Sequence, residues 1–200
     1  MNSALFRRLA LGGLTLALCT SCEDLDQNSA AAQKARAGAA RTAMAAPPLA
    51  SAYWDGEGVK GAPKIVVHLA EQRAFFYKGK TLVGESSIST GRKGFETPPG
   101  KYRVIQKDEN HVSNLYGSYV DKYGTVVRGN VEVGKTPMPK GTEFRGAPMP
   151  YFLRFTRGYG MHAGFVPRFR ASHGCIRMPR EMAKRFFDAA EMATPVIVTE

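Results

Sequence analysis

The sequence predicts a mostly β domain with few helices over residues 62–200. Short β-branched and aromatic segments alternate there with Gly, Pro and polar breaks, and only one segment has a helical repeat of apolar residues. The preceding residues 23–61 contain few large apolar side chains. At 200 residues and 44% hydrophobic composition, the chain suits one domain with extensions, which excludes wholesale disorder and a polytopic membrane protein.

The first strands follow one another closely. Residues 64–69, 73–77 and 81–89 are apolar-rich runs joined by short polar turns, a pattern typical of an antiparallel meander. Residues 90–100 contain three glycines and two prolines and predict a loop. Residues 101–105 then resume the sheet.

The second half of the domain has a less regular pattern. Residues 108–150 mix Gly and Pro with short apolar pieces, and we expect long loops over the sheet here. Residues 151–155 and 196–198 are predicted strands. Between them a helix begins at Pro179, whose fixed φ suits a first helical turn, and ends near Met192 because a proline follows. Its apolar face is expected to pack on the sheet.

The N-terminal residues are typical of an export signal. Arg7 and Arg8 precede an apolar run at residues 9–18 that is too short to span a bilayer comfortably. Small residues before Cys22 resemble a bacterial lipobox, in which the signal is cut before a cysteine that is then lipidated. We therefore expect a signal peptide over residues 1–21 and a periplasmic protein anchored to a membrane by lipid on Cys22. Ordinary signal cleavage and a retained transmembrane helix are the alternatives.

Residues 22–61 are predicted to form a flexible tether. Residues 30–50 contain eleven alanines and few large apolar side chains. Such a segment cannot form a hydrophobic core of its own. Gly38 interrupts the helix propensity of this stretch, and no apolar stripe is present to pack a helix. A disordered leader without a spacing role is the alternative.

The basic excess suggests an anionic substrate. Lys and Arg number 28 against 17 Asp and Glu, a formal net charge of +11. Six basic residues lie close in sequence to the candidate site described below: Arg168, Arg170, Arg177, Arg180, Lys184 and Arg185. A cationic approach favours encounter with carboxylates, and a solvated basic face is the alternative. Because export removes the protein from nucleic acid, we expect no nucleic-acid partner.

The residues that carry chemistry lie in one short segment. It reads Met161-His162-Ala163-Gly164 and, after a short loop, Ser172-His173-Gly174-Cys175-Ile176-Arg177-Met178. A thiol becomes a strong nucleophile as thiolate, and a nearby imidazole can hold its proton and return it to a leaving group. Gly174 permits a tight turn beside Cys175. The pattern predicts a cysteine–histidine acyl-transfer site.

Two other readings of these residues stay open at this point. Cys175 can be a buried structural thiol beside structural histidines. Alternatively, His162, His173 and Cys175 can ligate zinc, with a fourth ligand from His68, His111 or a carboxylate, although no tight ligand spacing selects one. An unpaired thiol in an oxidising compartment favours a functional role.

The segment around Cys175 resembles the signature of the L,D-transpeptidase catalytic domain, the YkuD type. Residues 89–91 and 96–102 are similar to that family's upstream loop and strand, in the expected order, and the resemblance covers most of residues 64–199. It implies a β-sandwich-like catalytic domain over residues 62–200 that uses no metal or organic cofactor. The gap between His162 and the Ser-His-Gly-Cys run is shorter than in the usual family pattern.

The resemblance implies roles for individual residues. Cys175 matches the nucleophile and His162 the histidine that activates it, with the imidazole oriented by the backbone carbonyl of Ala163. His173 matches a second histidine beside the oxyanion region. Backbone support for that region is implied at Gly174 and Ser172, and Arg177 is implied to contact substrate or support the loop.

The implied reaction is acyl transfer on peptidoglycan stem peptides. Cys175 attacks the third, diamino-acid residue of a donor tetrapeptide, releases terminal D-alanine and leaves a thioester, which an amine of a second stem resolves into a 3-3 cross-link. Carbapenem-type β-lactams are the expected covalent inhibitors. Water as acceptor would make the protein a carboxypeptidase or amidase, and a degenerate domain would make it a non-catalytic wall-binding lipoprotein.

Overall fold

The computed structural model describes residues 52–167 and 169–200. The predicted signal peptide, the predicted lipidation site Cys22, most of the predicted tether, and Arg168 lie outside the described residues. No helix in the described part of the chain is long and apolar enough to cross a membrane.

The prediction of a mostly β domain is confirmed. The elements in chain order are β1 (Tyr53–Trp54), β2 (Pro63–His68), β3 (Arg73–Lys78), β4 (Thr81–Ser87), β5 (Gly100–Arg103), β6 (Gln106–Asp108), β7 (Val112–Val120), β8 (Val126–Glu132), β9 (Glu143–Pro148), β10 (Phe152–Thr156), β11 (Tyr159–Ala163), β12 (Ile176–Met178), α1 (Arg180–Ala189) and β13 (Pro195–Thr199). The helix ends earlier than predicted, at Ala189.

A six-stranded sheet forms one layer of the domain, with strand order β1-β4-β3-β2-β13-β5. Strands β2, β3 and β4 pair antiparallel in sequence, so the predicted meander is confirmed. Strand β13 joins parallel to β2 and antiparallel to β5. Ile65 and Val67 on β2 alternate with more exposed neighbours and are completely buried, as are Ala74 and Phe76 on β3. This alternation points one face of the sheet into the core.

A second sheet has four strands in the order β12-β11-β10-β6. It contains the candidate site residues His162, on β11, and Arg177, on β12. Strands β11 and β12 are parallel, whereas the other pairs are antiparallel. The helix α1 buries Met182, Ala183 and Phe186. Phe186 lies 5.1 Å from Phe76, ring centre to ring centre, which joins the helix to the core of the six-stranded sheet. Neither β11 nor β12 was predicted from the sequence.

The folded domain begins before residue 62. Strand β1 pairs with β4, and the Trp54 ring packs 5.4 Å from Phe76 and 6.1 Å from Phe186. The last residues of the predicted tether are therefore part of the domain. One tryptophan in a polar stretch gives too weak a pattern for a strand, and its partners lie far along the chain.

The prediction of long loops over residues 108–150 was wrong. Strands β7, β8 and β9 form a three-stranded antiparallel sheet, which we call the arch. Its pairings contain several register shifts, and apolar residues such as Val126 and Val127 are exposed at 58% and 53%. Bulges and exposed apolar side chains remove the alternation from which a strand is recognised.

Candidate active site

Strands β11 and β12 bring the candidate catalytic residues to one face. His162 pairs with Arg177, and Cys175 directly precedes β12. Because alternate residues of a strand share a face, Cys175 and Arg177 lie on the same side as their partner-strand neighbour His162. They line a cavity of about 430 Å³ between the four-stranded sheet and the arch. Six predicted site residues line it: His162, Ala163, Ser172, His173, Cys175 and Arg177.

His162 is held with one ring nitrogen committed and the other available. The ring is buried, and its Nδ1 lies 2.9 Å from the carbonyl oxygen of Ala163. A carbonyl only accepts hydrogen bonds, so Nδ1 carries the hydrogen and Nε2 keeps its lone pair. Burial lowers the pKa of His162 to about 4, which keeps the imidazole neutral and able to accept a proton.

The Cys175 thiol is half-buried, with Sγ 3.9 Å from the Gly158 carbonyl oxygen. Burial raises the pKa of this thiol; the opposing effects of the Gly160 backbone N–H and of the Arg154 and Arg177 charges are smaller. Both groups are therefore neutral at rest, Cys175 as a thiol and His162 as an imidazole. Nucleophilic attack by this sulfur would require its proton to pass to a base.

We expect no thiolate at Cys175 in the free protein at neutral pH, because the pKa of the thiol is raised and that of His162 is lowered. The measurement is the ultraviolet thiolate absorbance of the protein minus that of a Cys175→Ser variant, followed from acid to alkaline pH. The difference signal is expected to rise only in the alkaline range. A signal already present near neutrality would mean that a thiolate–imidazolium pair is formed at rest.

The turn before Cys175 requires a glycine. Gly174 has φ +112°, and a Cβ there would lie 2.6 Å from the Tyr159 ring. Its N–H donates to the buried Ser172 hydroxyl at 3.0 Å, and its carbonyl accepts from the Thr97 hydroxyl at 2.7 Å. In a trans peptide the C=O and the following N–H point in opposite directions. The Thr97 contact therefore sets the direction of the Cys175 N–H.

Residues 89–92, which follow β4, form backbone hydrogen bonds with the loop that carries Cys175 and with the strand after it. Ser89 and Arg177 exchange backbone hydrogen bonds of 2.9 Å, and the Thr90 carbonyl accepts from the N–H of Ser172 at 3.0 Å. Only glycine fits at position 91, because a Cβ there would lie 1.9 Å from a backbone carbonyl oxygen. The loop that carries Cys175 is thus tied to the edge of the six-stranded sheet.

His173 contacts residues that the sequence did not assign to the site. The Arg92 guanidinium lies 2.7 Å from His173 Nε2, and Tyr116 from the arch stacks on the ring at 4.5 Å. Burial lowers the pKa of His173, with Arg92 as the next cause. Arg92 follows directly after one of the segments that resemble the family, and Thr97 lies within another, so the sequence could have indicated both as site residues. Tyr116 lies in the region predicted as loops, where no sequence pattern indicated a site residue.

Of the five described members of the predicted basic cluster, Arg177 alone lines the cavity. Its guanidinium is half-buried and, within residues 52–167 and 169–200, forms no ion pair. Burial lowers the pKa of Arg177. Among the described residues that line the cavity there is no carboxylate, so none of them neutralises this cation.

The other four described members of the basic cluster do not line the cavity. Arg185 bonds Glu57 and Glu181, Lys184 bonds Asp188, and neither basic residue lines the cavity. Arg170 and Arg180 do not line it either. Arg170 lies 3.8 Å from Glu200, so three of these four cations have acidic partners. A cationic approach to the site stays a prediction.

The described residues contain no group of side chains that could bind zinc as the alternative interpretation requires. No three His, Cys, Asp or Glu side chains come together there as metal ligands. His111 bonds Asp108 at 3.0 Å, and His68 bonds Glu71 at 3.3 Å, so the two suggested fourth ligands have other partners.

Comparison with known proteins gives consistent matches. A family model described as the L,D-transpeptidase catalytic domain (YkuD) matches residues 62–198. The chain is 27% identical over 150 residues to Probable L,D-transpeptidase 3 of Mycobacterium tuberculosis, covering 72% of this chain and 48% of that protein. The chain thus spans about half the length of that curated relative.

Solved structures share the fold. An L,D-transpeptidase from Mycobacterium smegmatis superposes with a TM-score of 0.54 at 17% identity, covering 70% of this chain and 59% of that one. An L,D-transpeptidase in complex with imipenem superposes with a TM-score of 0.53 at 19% identity, covering 69% and 59%. Since the family model covers well over half of the sequence, and the structure has the corresponding fold, this chain belongs to the L,D-transpeptidase catalytic domain (YkuD) family.

Proposed function

We propose that this protein is a peptidoglycan L,D-transpeptidase that carries its donor as a Cys175 thioester and transfers it to an amine. The observation that carries the proposal is the placement of Cys175 and His162 on one face of two paired strands, lining one cavity, with His162 Nε2 available as a base. The family match supports the same chemistry.

The first half-reaction releases an amine. Cys175 Sγ attacks the carbonyl carbon of the diamino-acid residue while His162 Nε2 takes the thiol proton. The C–N bond to D-alanine then breaks, and the imidazolium returns the proton to the leaving nitrogen. The products are a thioester on Cys175 and free D-alanine. The Ala163 carbonyl stabilises the imidazolium through its Nδ1 hydrogen bond.

The second half-reaction forms the cross-link. An acceptor amine attacks the thioester carbonyl, gives its proton to His162, and displaces Cys175, which recovers that proton as a thiol. In both steps a negative oxygen develops on the carbonyl, and the Cys175 N–H, directed by the contact between Thr97 and Gly174, is placed to stabilise it. One such donor contributes roughly 3 to 4 kcal/mol to the barrier in other acyl-transfer enzymes.

Arg177 is proposed to bind a carboxylate of the stem peptide. It lines the cavity two residues after the nucleophile and has no carboxylate partner in the described residues. A bound carboxylate would offset the cost of holding this cation half-buried. Carbapenem-type β-lactams are proposed as covalent ligands, which the structural neighbour in complex with imipenem supports.

Products formed from purified tetrapeptide muropeptides test this function. We expect cross-linked dimers together with free D-alanine, measured by mass spectrometry. Tripeptides without dimers would overturn transfer to an amine in favour of a carboxypeptidase. No turnover, with binding to isolated cell wall retained, would identify a non-catalytic wall-binding protein.

Export and lipid anchoring are also proposed, on the N-terminal residues alone. The apolar run at residues 9–18 and the small residues before Cys22 support cleavage before Cys22 and lipidation of that cysteine. The intact mass of the membrane-extracted protein checks this. A mature chain that begins elsewhere and carries no lipid would contradict it.

A further inference from the structure

Arg92 holds one edge of the His173 ring, while aromatic side chains contact the rest of it. The guanidinium Nη2 lies 2.7 Å from His173 Nε2, and Nη1 lies 3.4 Å from the Ser172 carbonyl oxygen. The guanidinium also sits over the Phe95 ring at 4.4 Å. Phe95 meets His173 edge-on at 4.9 Å, and Tyr116 stacks on it at 4.5 Å. The imidazole is therefore fixed in position and orientation.

The chemistry of arginine decides which nitrogen of His173 carries the hydrogen. A guanidinium has five N–H donors and no acceptor, and it stays protonated in proteins. His173 Nε2 must therefore accept, which requires its lone pair. A neutral imidazole with an unprotonated Nε2 carries its hydrogen on Nδ1. A second proton on His173 would place two cations in contact.

The N–H donor that results has no partner among the described residues. In the described residues, His173 Nδ1 forms no hydrogen bond, and His173 lines the cavity two residues before Cys175. His162 presents the opposite arrangement, with Nδ1 bound to Ala163 and Nε2 available as an acceptor. The two histidines thus offer the cavity different chemistry.

We propose that Arg92 is a positioning residue that holds His173 as the neutral tautomer protonated at Nδ1, so that His173 donates a hydrogen bond to a substrate oxygen and leaves the role of base to His162. The substrate contact rests on the proposed acyl-transfer function. The tautomer does not, because it follows from contacts within the free protein.

Proton–nitrogen correlation spectra of the histidine rings test the tautomer without any substrate. We expect an unprotonated Nε2 and a protonated Nδ1 at His173 at neutral pH, with the signals assigned by a His173→Gln variant. Arg92→Met should lose this tautomer preference, and Arg92→Lys should keep it, because an ammonium also only donates. His162 should remain protonated at Nδ1 in every variant and thereby report intact folding of the site.

The same spectra followed against pH test the charge effect. The charged groups that act on His173 are Arg92, Arg177 and Glu132, and Tyr116, a neutral titratable group, stacks on its ring. Removing the Arg92 charge should raise the pKa of His173, since a neighbouring cation disfavours protonation. Arg103→Met, which removes an exposed arginine bound to the Ala193 carbonyl, is the matched control and should leave His173 unchanged.

The rate of imipenem acylation, followed by intact mass, tests the consequence for the reaction. Arg92→Met should slow acylation about tenfold and Arg92→Lys much less, as expected for a displaced hydrogen-bond donor. His173 protonated at Nε2 in the unsubstituted protein, or a tautomer unaffected by Arg92→Met, would overturn the proposal. A correct tautomer in a protein that imipenem does not acylate would overturn the substrate contact and count against the proposed function.

Discussion

Replacing Cys175 with alanine is expected to abolish both dimer formation from tetrapeptide muropeptides and covalent attachment of imipenem. Among the described residues that line the cavity, Cys175 supplies the only thiol, and none carries a carboxylate that could take its place as a nucleophile. The loss should reach the detection limit and exceed any effect of a neighbouring residue. Chromatography of the muropeptides and intact mass of the protein are the measurements.

A matched comparison separates chemistry from folding. Cys175→Ser keeps a polar group of similar size, and because a hydroxyl is a far weaker nucleophile it should also be inactive. Both variants should keep a thermal unfolding midpoint close to that of the parent protein, since the thiol forms only a long 3.9 Å contact with the Gly158 carbonyl. Dimer formation that survives in folded Cys175→Ala would refute the acyl-enzyme.

Replacing His162 with glutamine is expected to lower the rate of imipenem acylation by roughly 10²- to 10⁴-fold, the usual contribution of a positioned general base. The thiol of Cys175 is protonated at rest because its pKa is raised, so attack requires a base. Since the pKa of His162 is about 4, the parent protein should lose acylation only as pH falls toward that value. Acylation rates of the parent protein and of His162→Gln, measured from neutral to acid pH, give both the loss of rate and the pH at which the parent protein loses acylation.

His68→Gln is the matched control for this substitution. His68 is partly exposed, bonds Glu71 and does not line the cavity, so its loss should leave acylation unchanged. In His162→Gln, the residual rate should rise steadily with pH as thiolate forms without assistance. A residual rate near that of the parent protein, or an acid limb that persists near pH 4, would show that another group accepts the proton.

The strands that the sequence predicted best are those with one buried face. Strands β2 and β3 alternate buried residues such as Val67 and Phe76 with more exposed ones, and this pattern can be recognised without knowing which strands pair. The strands of the arch were not predicted, because bulges interrupt the alternation of buried and exposed residues and apolar residues such as Val126 are exposed. Strand β12 has three residues, too few for any period.

The candidate site divides in a similar way. His162, His173 and Cys175 are visible in the sequence because their chemistry is unusual and their spacing is short. The structure brings all three to one cavity. Arg92 and Thr97 lie about eighty residues upstream of the loop that carries Cys175, and only the fold creates their hydrogen bonds with it.

The sequence by itself determined the β class, the family and the residues that can do the chemistry, because these depend on local periodicity and on rare side-chain types in a short motif. Only the tertiary structure decided their states. Which nitrogen of each histidine is protonated depends on whether a carbonyl or a guanidinium faces it, and the neutral form of the thiol depends on burial. Both are properties of neighbours that lie far apart in the chain.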